Sequence, residues 1–232
     1  MKQPKRILLK LSGEALKWQR EYGIDVKFIN ILANKIKNLY ERGIEIALVL
    51  GAGNIFRGVA WEAMWLDRAT GDYMGMLGTI INALAMGNIL TQHGMEVRVM
   101  SSIETPRVAE PFIRKRALKH LQKWRIVLCA AWTGNPYFST DAAAVLRALE
   151  LHCDMVVKGT KVDGVYDKDP MKYDDAVKFD TMHIEDALEW DIRVMDHNAI
   201  AMAKDEKMPI YVCHIDQIDL IGTDTITWTL VQ

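Results

Sequence analysis

Short apolar segments alternate with amphipathic segments along most of the chain. The apolar segments are bounded by turn residues, which is typical of strands that are buried on both faces of a parallel sheet. They span residues 5–11, 44–50, 96–100, 126–131, 155–157, 210–212 and 225–230. The longer segments between them carry apolar residues at helical spacing, as at Ile29, Ala33 and Ile36. The alternation predicts a doubly wound α/β fold, with a mostly parallel sheet and helices on both faces.

Capping residues and glycines mark where the predicted helices begin and end. Asp25 and Gly43 are suited to the start and the end of the first helix. The other helices are predicted at residues 72–93, 111–121, 141–151, 183–190 and 196–204. Because no repeat, linker or charge block interrupts the pattern, we expect residues 1–232 to form a single domain. Ligands of such a fold bind at the carboxyl ends of the strands.

Composition and charge narrow the possible classes of function. Half of the residues are hydrophobic and 25% are charged, which is ordinary for a globular protein. With 29 Lys and Arg against 30 Asp and Glu, the chain offers no broad basic face, so neither nucleic acid nor a membrane surface is an expected partner.

The expected localisation is cytoplasmic. The three cysteines form no C-x-x-C pair, which disfavours a disulfide framework or a zinc ribbon and fits a reducing compartment. Lys10 interrupts the N-terminal apolar run before a signal-peptide core can form, and no uninterrupted apolar stretch approaches the ~20 residues of a membrane helix.

Two glycine-rich patterns fail to match known nucleotide-binding motifs. Gly51-Ala52-Gly53 begins like a dinucleotide fingerprint, but Phe56 occupies the position of its third glycine. The spacing from Gly53 to Gly58 is that of a P-loop, but a valine follows where the motif requires lysine. The sequence therefore supports neither an NAD site nor a P-loop.

Two lysines lie at comparable positions in predicted buried strands. Lys10 interrupts the first strand, and Lys158 closes a later one. A buried ammonium group is costly without an anionic partner, although a lysine at a strand edge can also extend its charged end into water. Two such lysines in one sheet, with a carboxylate nearby, favour a site for a transferring phosphoryl group.

Three loops carry groups that are suited to a nucleotide, and each also has a purely structural interpretation. The glycines at 51, 53 and 58, together with Arg57, are suited to an anion, but they fit a plain tight turn equally well. Residues 133–141 combine hydroxyls, an amide, aromatics and a helix start, with Asp141 as a good N-cap. Residues 161–170 are suited to a nucleoside, or form an ordinary surface loop.

The chain resembles the bacterial UMP kinases of the amino-acid-kinase superfamily in five segments, in order along nearly its whole length. These are residues 10–15 (KLSGEA), the glycine loop at 51–58, residues 71–76, residues 133–141 (TGNPYFSTD) and residues 160–170, which begin TKVDGVY. The resemblance implies a three-layer α/β sandwich and a homohexameric cytoplasmic enzyme that makes UDP from UMP and Mg-ATP in pyrimidine nucleotide biosynthesis. It also implies a lobe for UMP and phosphate at about 1–150 and a lobe for the ATP nucleoside at 151–232.

The resemblance also assigns roles to individual residues. Lys10 and Lys158 would neutralise the transferred phosphoryl group, and Asp141 would hold both lysines in place. The residues expected to contact ATP are Lys10, Leu11, Ser12, Gly13, Gly53, Arg57, Thr160, Tyr166 and Asp169. Those expected to contact UMP are Ala52, Asp72, Thr133, Gly134, Asn135, Pro136, Tyr137, Phe138, Ser139 and Thr140. No protein ligand for a metal is expected, because Mg²⁺ would be carried by ATP.

The sequence departs from the family pattern at four positions. Ala52 replaces a glycine, and Trp132 replaces a small residue just before the loop at 133–140. Gly87 and Thr91 occur where relatives that are activated by GTP carry basic side chains. The alternatives to UMP phosphorylation are a carboxylate or carbamate kinase of the same superfamily, or a nucleotide-binding oligomer that has no turnover.

Overall fold

A nine-stranded sheet forms the centre of the described structure. The computed structural model describes residues 3–56, 66–190, 192 and 194–232. The strands are β1 (Arg6–Leu11), β2 (Glu45–Leu50), β3 (Val97–Ser101), β4 (Glu110–Pro111), β5 (Ile126–Ala130), β6 (Met155–Thr160), β7 (Val165–Tyr166), β8 (Lys178–Phe179), β9 (Thr181–Met182), β10 (Ile210–His214) and β11 (Trp228–Val231). Their order in the sheet is β4-β3-β5-β2-β1-β6-β10-β11-β9, while β7 and β8 form a separate antiparallel pair.

Helices cover both faces of this sheet. They are α1 (Gly13–Lys17), α2 (Val26–Glu41), α3 (Arg68–Gln92), α4 (Arg114–Gln122), α5 (Thr140–Glu150), α6 (Ile184–Glu189), α7 (His197–Asp205) and a 3₁₀ helix (Ile215–Leu220). Every neighbouring strand pair in the large sheet is parallel except β10–β11, which is antiparallel. The prediction of a mostly parallel sheet with helices on both faces is therefore confirmed.

The alternation of side chains along β1 divides the core into two layers. Ile7, Leu9 and Leu11 point into the layer that contains α2 and α3, whereas Leu8 points into the layer that contains α5 and α7. Because side chains alternate with a period of two along a strand, Lys10 projects to the same face as Leu8. It therefore faces the layer of α5.

Some element boundaries differ from the predicted ones. Helix α3 begins four residues before the predicted start at Asp72, because the Asp67 carboxylate accepts hydrogen bonds from the backbone N–H groups of Ala69 (2.9 Å) and Thr70 (3.4 Å). Strand β6 continues through Thr160 instead of ending near residue 157, so Lys158 lies within the strand. Helix α4 begins three residues after the predicted start, because residues 110–111 form the short edge strand β4.

Helix α5 is not capped by Asp141 as the sequence suggested. The N-cap is Ser139, whose hydroxyl accepts hydrogen bonds from the backbone N–H groups of Asp141 (2.9 Å) and Ala142 (3.1 Å). Asp141 lies in the first turn instead, and its carboxylate is not used for capping.

Helix α3 is long and apolar enough to cross a membrane by length and composition alone. However, 56% of its most apolar stretch is buried inside the fold, against β3 and β5 among other elements. It is packed here as a core helix, so this one test is weak support for a membrane span.

Candidate active site

The two strand lysines and Asp141 form a buried cluster at the centre of the sheet. Lys10 and Lys158 are directly opposite each other in the parallel pairing of β1 with β6. Asp141, from α5, lies between them: its Oδ1 is 2.5 Å from Lys10 Nζ, and its Oδ2 is 3.1 Å from Lys158 Nζ. Lys158 also donates a hydrogen bond to the carbonyl of Val194 at 2.5 Å. Neither lysine side chain extends freely into water, with exposed fractions of 8% and 17%.

The electrostatics of this cluster favour an additional anion. Burial opposes ionisation of Asp141, but the ammonium groups of Lys10 and Lys158 outweigh it and hold the pKa of Asp141 below its ordinary value. Burial, followed by the neighbouring charge of Lys10, lowers the pKa of Lys158, while Asp141 opposes that effect. Two ammonium groups face one carboxylate, so a negatively charged group placed there is stabilised.

Glycines let the loops that follow β1 and β2 touch backbone to backbone beside this cluster. A β-carbon on Gly13 would lie 2.5 Å from the nitrogen of Gly53 and 2.8 Å from the carbonyl carbon of Gly51. Close packing of the two loops therefore requires glycine at position 13 on structural grounds alone. The hydroxyl of Ser12 accepts a hydrogen bond from the backbone N–H of Ala15 at 3.3 Å, which caps α1. Arg57 and Gly58 lie outside the described residues.

Residues 131–139, which we call the acceptor loop, follow β5 and lead into α5. Tyr137 has a positive φ of 68°, and its backbone N–H donates to Asp72 Oδ2 at 2.7 Å. Asp72 is buried in α3 and also accepts hydrogen bonds from Arg68 Nε at 3.0 Å. The Thr133 hydroxyl accepts a hydrogen bond from the backbone N–H of Asn135 at 3.2 Å. The structure thus places Asp72 against the loop, where its carboxylate accepts hydrogen bonds from Arg68 and Tyr137.

Trp132 and Ala52, which are larger than the residues of the family pattern, both pack against glycines of α3. A β-carbon on Gly75 would lie 2.7 Å from Cζ2 of Trp132, and one on Gly78 would lie 2.9 Å from Cβ of Ala52. The missing side chains on the helix therefore leave the space that Trp132 and Ala52 fill.

A cavity of about 720 Å³ opens beside Lys158. Thr160, Tyr166 and Asp169 line it, together with Lys158 and the half-exposed Trp190. The Tyr166 hydroxyl donates to the carboxylate of Asp163 at 2.5 Å, and this hydrogen bond raises the pKa of Tyr166 to about 12. The lining of the cavity combines apolar and charged side chains, and the cavity volume is typical of a small-molecule site.

Three residues near these features were not identified from the sequence. Asp196 accepts a hydrogen bond from the Ser139 hydroxyl and caps α7, so it links the acceptor loop to the segment that contacts Lys158. Trp190 lines the cavity from the end of α6. Arg147 contacts the acceptor loop from within α5. Asp196 has a helix-start signal, but nothing in the local sequence relates any of the three to the site.

Metal ligands were not expected in the protein. Among the residues that the structure describes, no group of three or more His, Cys, Asp or Glu side chains is arranged to hold a metal ion. The carboxylate of Asp141 contacts both lysines, and that of Asp196 accepts a hydrogen bond from Ser139.

Comparison with known proteins places this geometry in a defined group. Residues 5–214 match the profile of the amino acid kinase family. A uridylate kinase from Xanthomonas oryzae pv. oryzae is 52% identical over 208 residues, which are 90% of this chain and 87% of that protein. The UMP kinase from Bacillus anthracis superimposes with a TM-score of 0.96 at 37% identity, over 100% of this chain and 97% of the other. The UMP kinase from Ureaplasma parvum gives 0.91 at 33% identity, over 100% and 99%.

Proposed function

The chain belongs to the amino acid kinase family, and from this premise we propose that it is a kinase that transfers the γ-phosphoryl group of ATP to UMP and so produces UDP. The uridylate and UMP kinases that it resembles cover nearly its whole length, at 33–52% identity. That similarity supports the choice of a nucleoside monophosphate, and not a carboxylate or carbamate, as the phosphoryl acceptor.

The observation that carries this proposal is the Lys10–Asp141–Lys158 cluster, which adjoins both the acceptor loop and the cavity beside Lys158. Asp141 lies in the first turn of α5, directly after the acceptor loop, and Lys158 lines the cavity. A phosphoryl group that moved from a nucleotide in the cavity to one at the loop would pass close to the two ammonium groups. Phosphoryl transfer depends mainly on positioning and on stabilisation of the spread negative charge, which two fixed cations supply.

Each substrate is assigned to one side of the cluster. UMP would lie at residues 133–140 with Asp72, within the lobe at about 1–150. The ATP nucleoside would lie in the cavity lined by Thr160, Tyr166 and Asp169, within the lobe at 151–232. The phosphates of ATP would lie along the loops of Ser12, Gly13 and Gly53, which are adjacent at the ends of β1 and β2.

We propose that Mg²⁺ arrives on the ATP phosphates and is held by them and by water. The donor set fits this arrangement, because Asp141 directs its two oxygens to the lysines. When bound, the ion would neutralise charge on the phosphate oxygens. Calorimetry with MgCl₂ and nucleotide-free protein tests this point, and tight binding would contradict it.

We further propose that the protein is a cytoplasmic homo-oligomer that acts in pyrimidine nucleotide biosynthesis. The resemblance to the family implies a hexamer. Tyr73, Leu77 and Ile81 are exposed at a spacing of four residues along α3, so they form an apolar stripe that a second subunit could cover. The three cysteines are free and buried, which is consistent with a reducing compartment. Sedimentation analysis measures the oligomeric state.

The test of the activity is a coupled assay of ADP release with UMP, CMP, acetylglutamate and carbamate as separate acceptors. We expect ADP release with a clear preference for UMP, and its loss in Asp141→Asn. ADP release without preference for UMP would refute the assigned acceptor. Nucleotide binding without ADP release would indicate an oligomer that binds nucleotides but does not turn them over.

A further inference from the structure

We propose that Arg147 is a positioning residue for the acceptor: from α5, it holds the carbonyl of Trp132 and so fixes the shape of the acceptor loop. This inference rests on the proposed function, because the loop is the assigned UMP site. Arg147 itself contacts neither of the assigned substrates, and acts through the backbone of the loop.

The beginning of the acceptor loop has an unfavourable backbone conformation. Ala131 and Trp132 follow β5 with φ values of 59° and 51°. Residues with a β-carbon are rarely left-handed because the β-carbon then approaches the carbonyl oxygen, and two in succession are rarer still. Such a conformation persists only where the surroundings hold it, and it is common at functional sites.

Three side chains from separate parts of the chain hold these two residues. The Thr79 hydroxyl, from α3, accepts a hydrogen bond from the backbone N–H of Ala131 at 2.9 Å. The Ser102 hydroxyl donates to the carbonyl of Trp132 at 3.0 Å, and Nη2 of Arg147 donates to the same carbonyl at 3.3 Å. Nη2 also donates to the Ser102 hydroxyl at 2.8 Å, so Arg147 and Ser102 act on the carbonyl together.

The guanidinium of Arg147 is buried, at a cost in folding free energy, and is held in place by its neighbours. Its side chain is 6% exposed, it forms an ion pair with Glu150, and its guanidinium lies 3.9 Å from the centre of the Phe112 ring. Its Nε has no hydrogen-bond partner in the described part of the chain. A buried guanidinium with an unsatisfied donor is costly, and an apolar side chain would fill this space at a lower cost. Its geometry nevertheless suits one purpose, because a planar fork can reach the carbonyl and the carboxylate together.

The position of Arg147 in α5 links the acceptor loop to the lysine cluster. Asp141 lies six residues earlier on the same helix. A rigid helix that holds the loop at one point and both lysines at another keeps the acceptor aligned with the phosphoryl group. A misplacement of about 1 Å at a site of this kind can cost about a hundredfold in rate.

The experiment compares Arg147→Lys with a matched control, Glu150→Gln. Lysine keeps the charge but has one terminal nitrogen in place of the two with which Arg147 binds Glu150 on one side and Ser102 and the Trp132 carbonyl on the other. Glu150→Gln removes the ion pair and leaves the contact with the carbonyl intact. Initial rates are measured against UMP at saturating ATP, and against ATP at saturating UMP. Amide hydrogen exchange is measured for peptides that cover residues 131–139.

For Arg147→Lys we expect the KM for UMP to rise at least about tenfold, the KM for ATP to stay within about twofold, and exchange in the acceptor loop to accelerate. For Glu150→Gln we expect an unchanged KM for UMP and no acceleration of exchange in the acceptor loop. Ser102→Ala should reproduce the effect in part, and the double variant should be less than additive because both residues act on one carbonyl. Ser102→Ala also keeps the test decisive if Arg147→Lys does not fold.

Two outcomes would overturn the proposal. One is a lower unfolding temperature for Arg147→Lys with both KM values unchanged, which is a purely structural role. The other is faster exchange in the acceptor loop with an unchanged KM for UMP. If the unaltered protein does not phosphorylate UMP, the proposed function fails separately, and the exchange measurement still shows whether Arg147 holds the loop.

Discussion

Replacement of Lys10 by methionine tests the role of the charge cluster most directly. Methionine has a side chain of similar length without the charge, so the packing of β1 against α5 is largely retained. In the unaltered protein, Lys10 Nζ lies 2.5 Å from Asp141, and Lys158 lies on the other oxygen of the same carboxylate. The substitution leaves one ammonium group where the structure has two.

The expected loss can be worked from this geometry. An ammonium group about 4 Å from a unit negative charge interacts with it by about 4 kcal/mol at an effective dielectric constant of about 20. Bound ATP already receives part of this interaction, and only the part gained in the transition state affects kcat. We therefore expect kcat to fall by about 10²–10³, equivalent to about 2.7–4 kcal/mol, with a much smaller change in the KM for UMP.

Steady-state rates with UMP and Mg-ATP measure this effect, and thermal unfolding shows whether the variant is folded. Lys35→Met is the matched control, because Lys35 also forms a partly buried ion pair, 3.2 Å from Asp219, on the other side of the sheet. Its kcat should stay within about twofold, because Lys35 lies on the other side of the sheet from the charge cluster and such an ion pair contributes little to the free energy of unfolding. An unchanged kcat in Lys10→Met together with a raised KM for ATP would show that Lys10 only binds the nucleotide, and would refute the reasoning.

Three further predictions follow from single features of the structure. Gly13→Ala should lower the free energy of unfolding by about 1–3 kcal/mol and reduce kcat, because its β-carbon would meet the backbone nitrogen of Gly53 at 2.5 Å. Thermal unfolding and steady-state rates measure these effects, and an unchanged unfolding temperature would contradict the prediction. In a pH profile of kcat/KM for ATP, the midpoint of the alkaline loss of activity should lie below pH 10.5. Lys158 acts while protonated, and burial, followed by the neighbouring ammonium group of Lys10, lowers its pKa. A midpoint at or above that pH would contradict the assignment. Millimolar GTP should change the rate by less than about twofold, because Gly87 and Thr91 offer no cation to a triphosphate. At position 87 even a β-carbon would lie 3.1 Å from a valine of β3, which leaves little room for a larger side chain. A several-fold activation would show that GTP binds at another site.

The sequence determined the features that depend on short stretches of chain. Buried parallel strands must be apolar on both faces, so the longer strands and helices α2 to α7 could be predicted from periodicity. The two-residue strands β4, β7, β8 and β9, helix α1 and the 3₁₀ helix are too short to show a period and were not predicted. The anomaly of Lys10 and Lys158 in such strands could also be recognised, because a buried charge requires a partner wherever it occurs. Their assignment to phosphoryl transfer, with Asp141 as their partner, came from the resemblance of five segments to a family.

Only the tertiary structure decided which groups meet. The pairing of Lys10 with Lys158 depends on the register of two strands about 150 residues apart in the chain, and periodicity carries no information on register between distant strands. The same limit applies to Asp141: its local sequence was equally compatible with capping, and the structure shows that Ser139 caps α5 while the Asp141 carboxylate contacts both lysines. Arg147 is the clearest case, because its proposed role depends on the direction of one carbonyl in a left-handed residue, and that direction is set by packing among distant parts of the chain and not by local sequence preference.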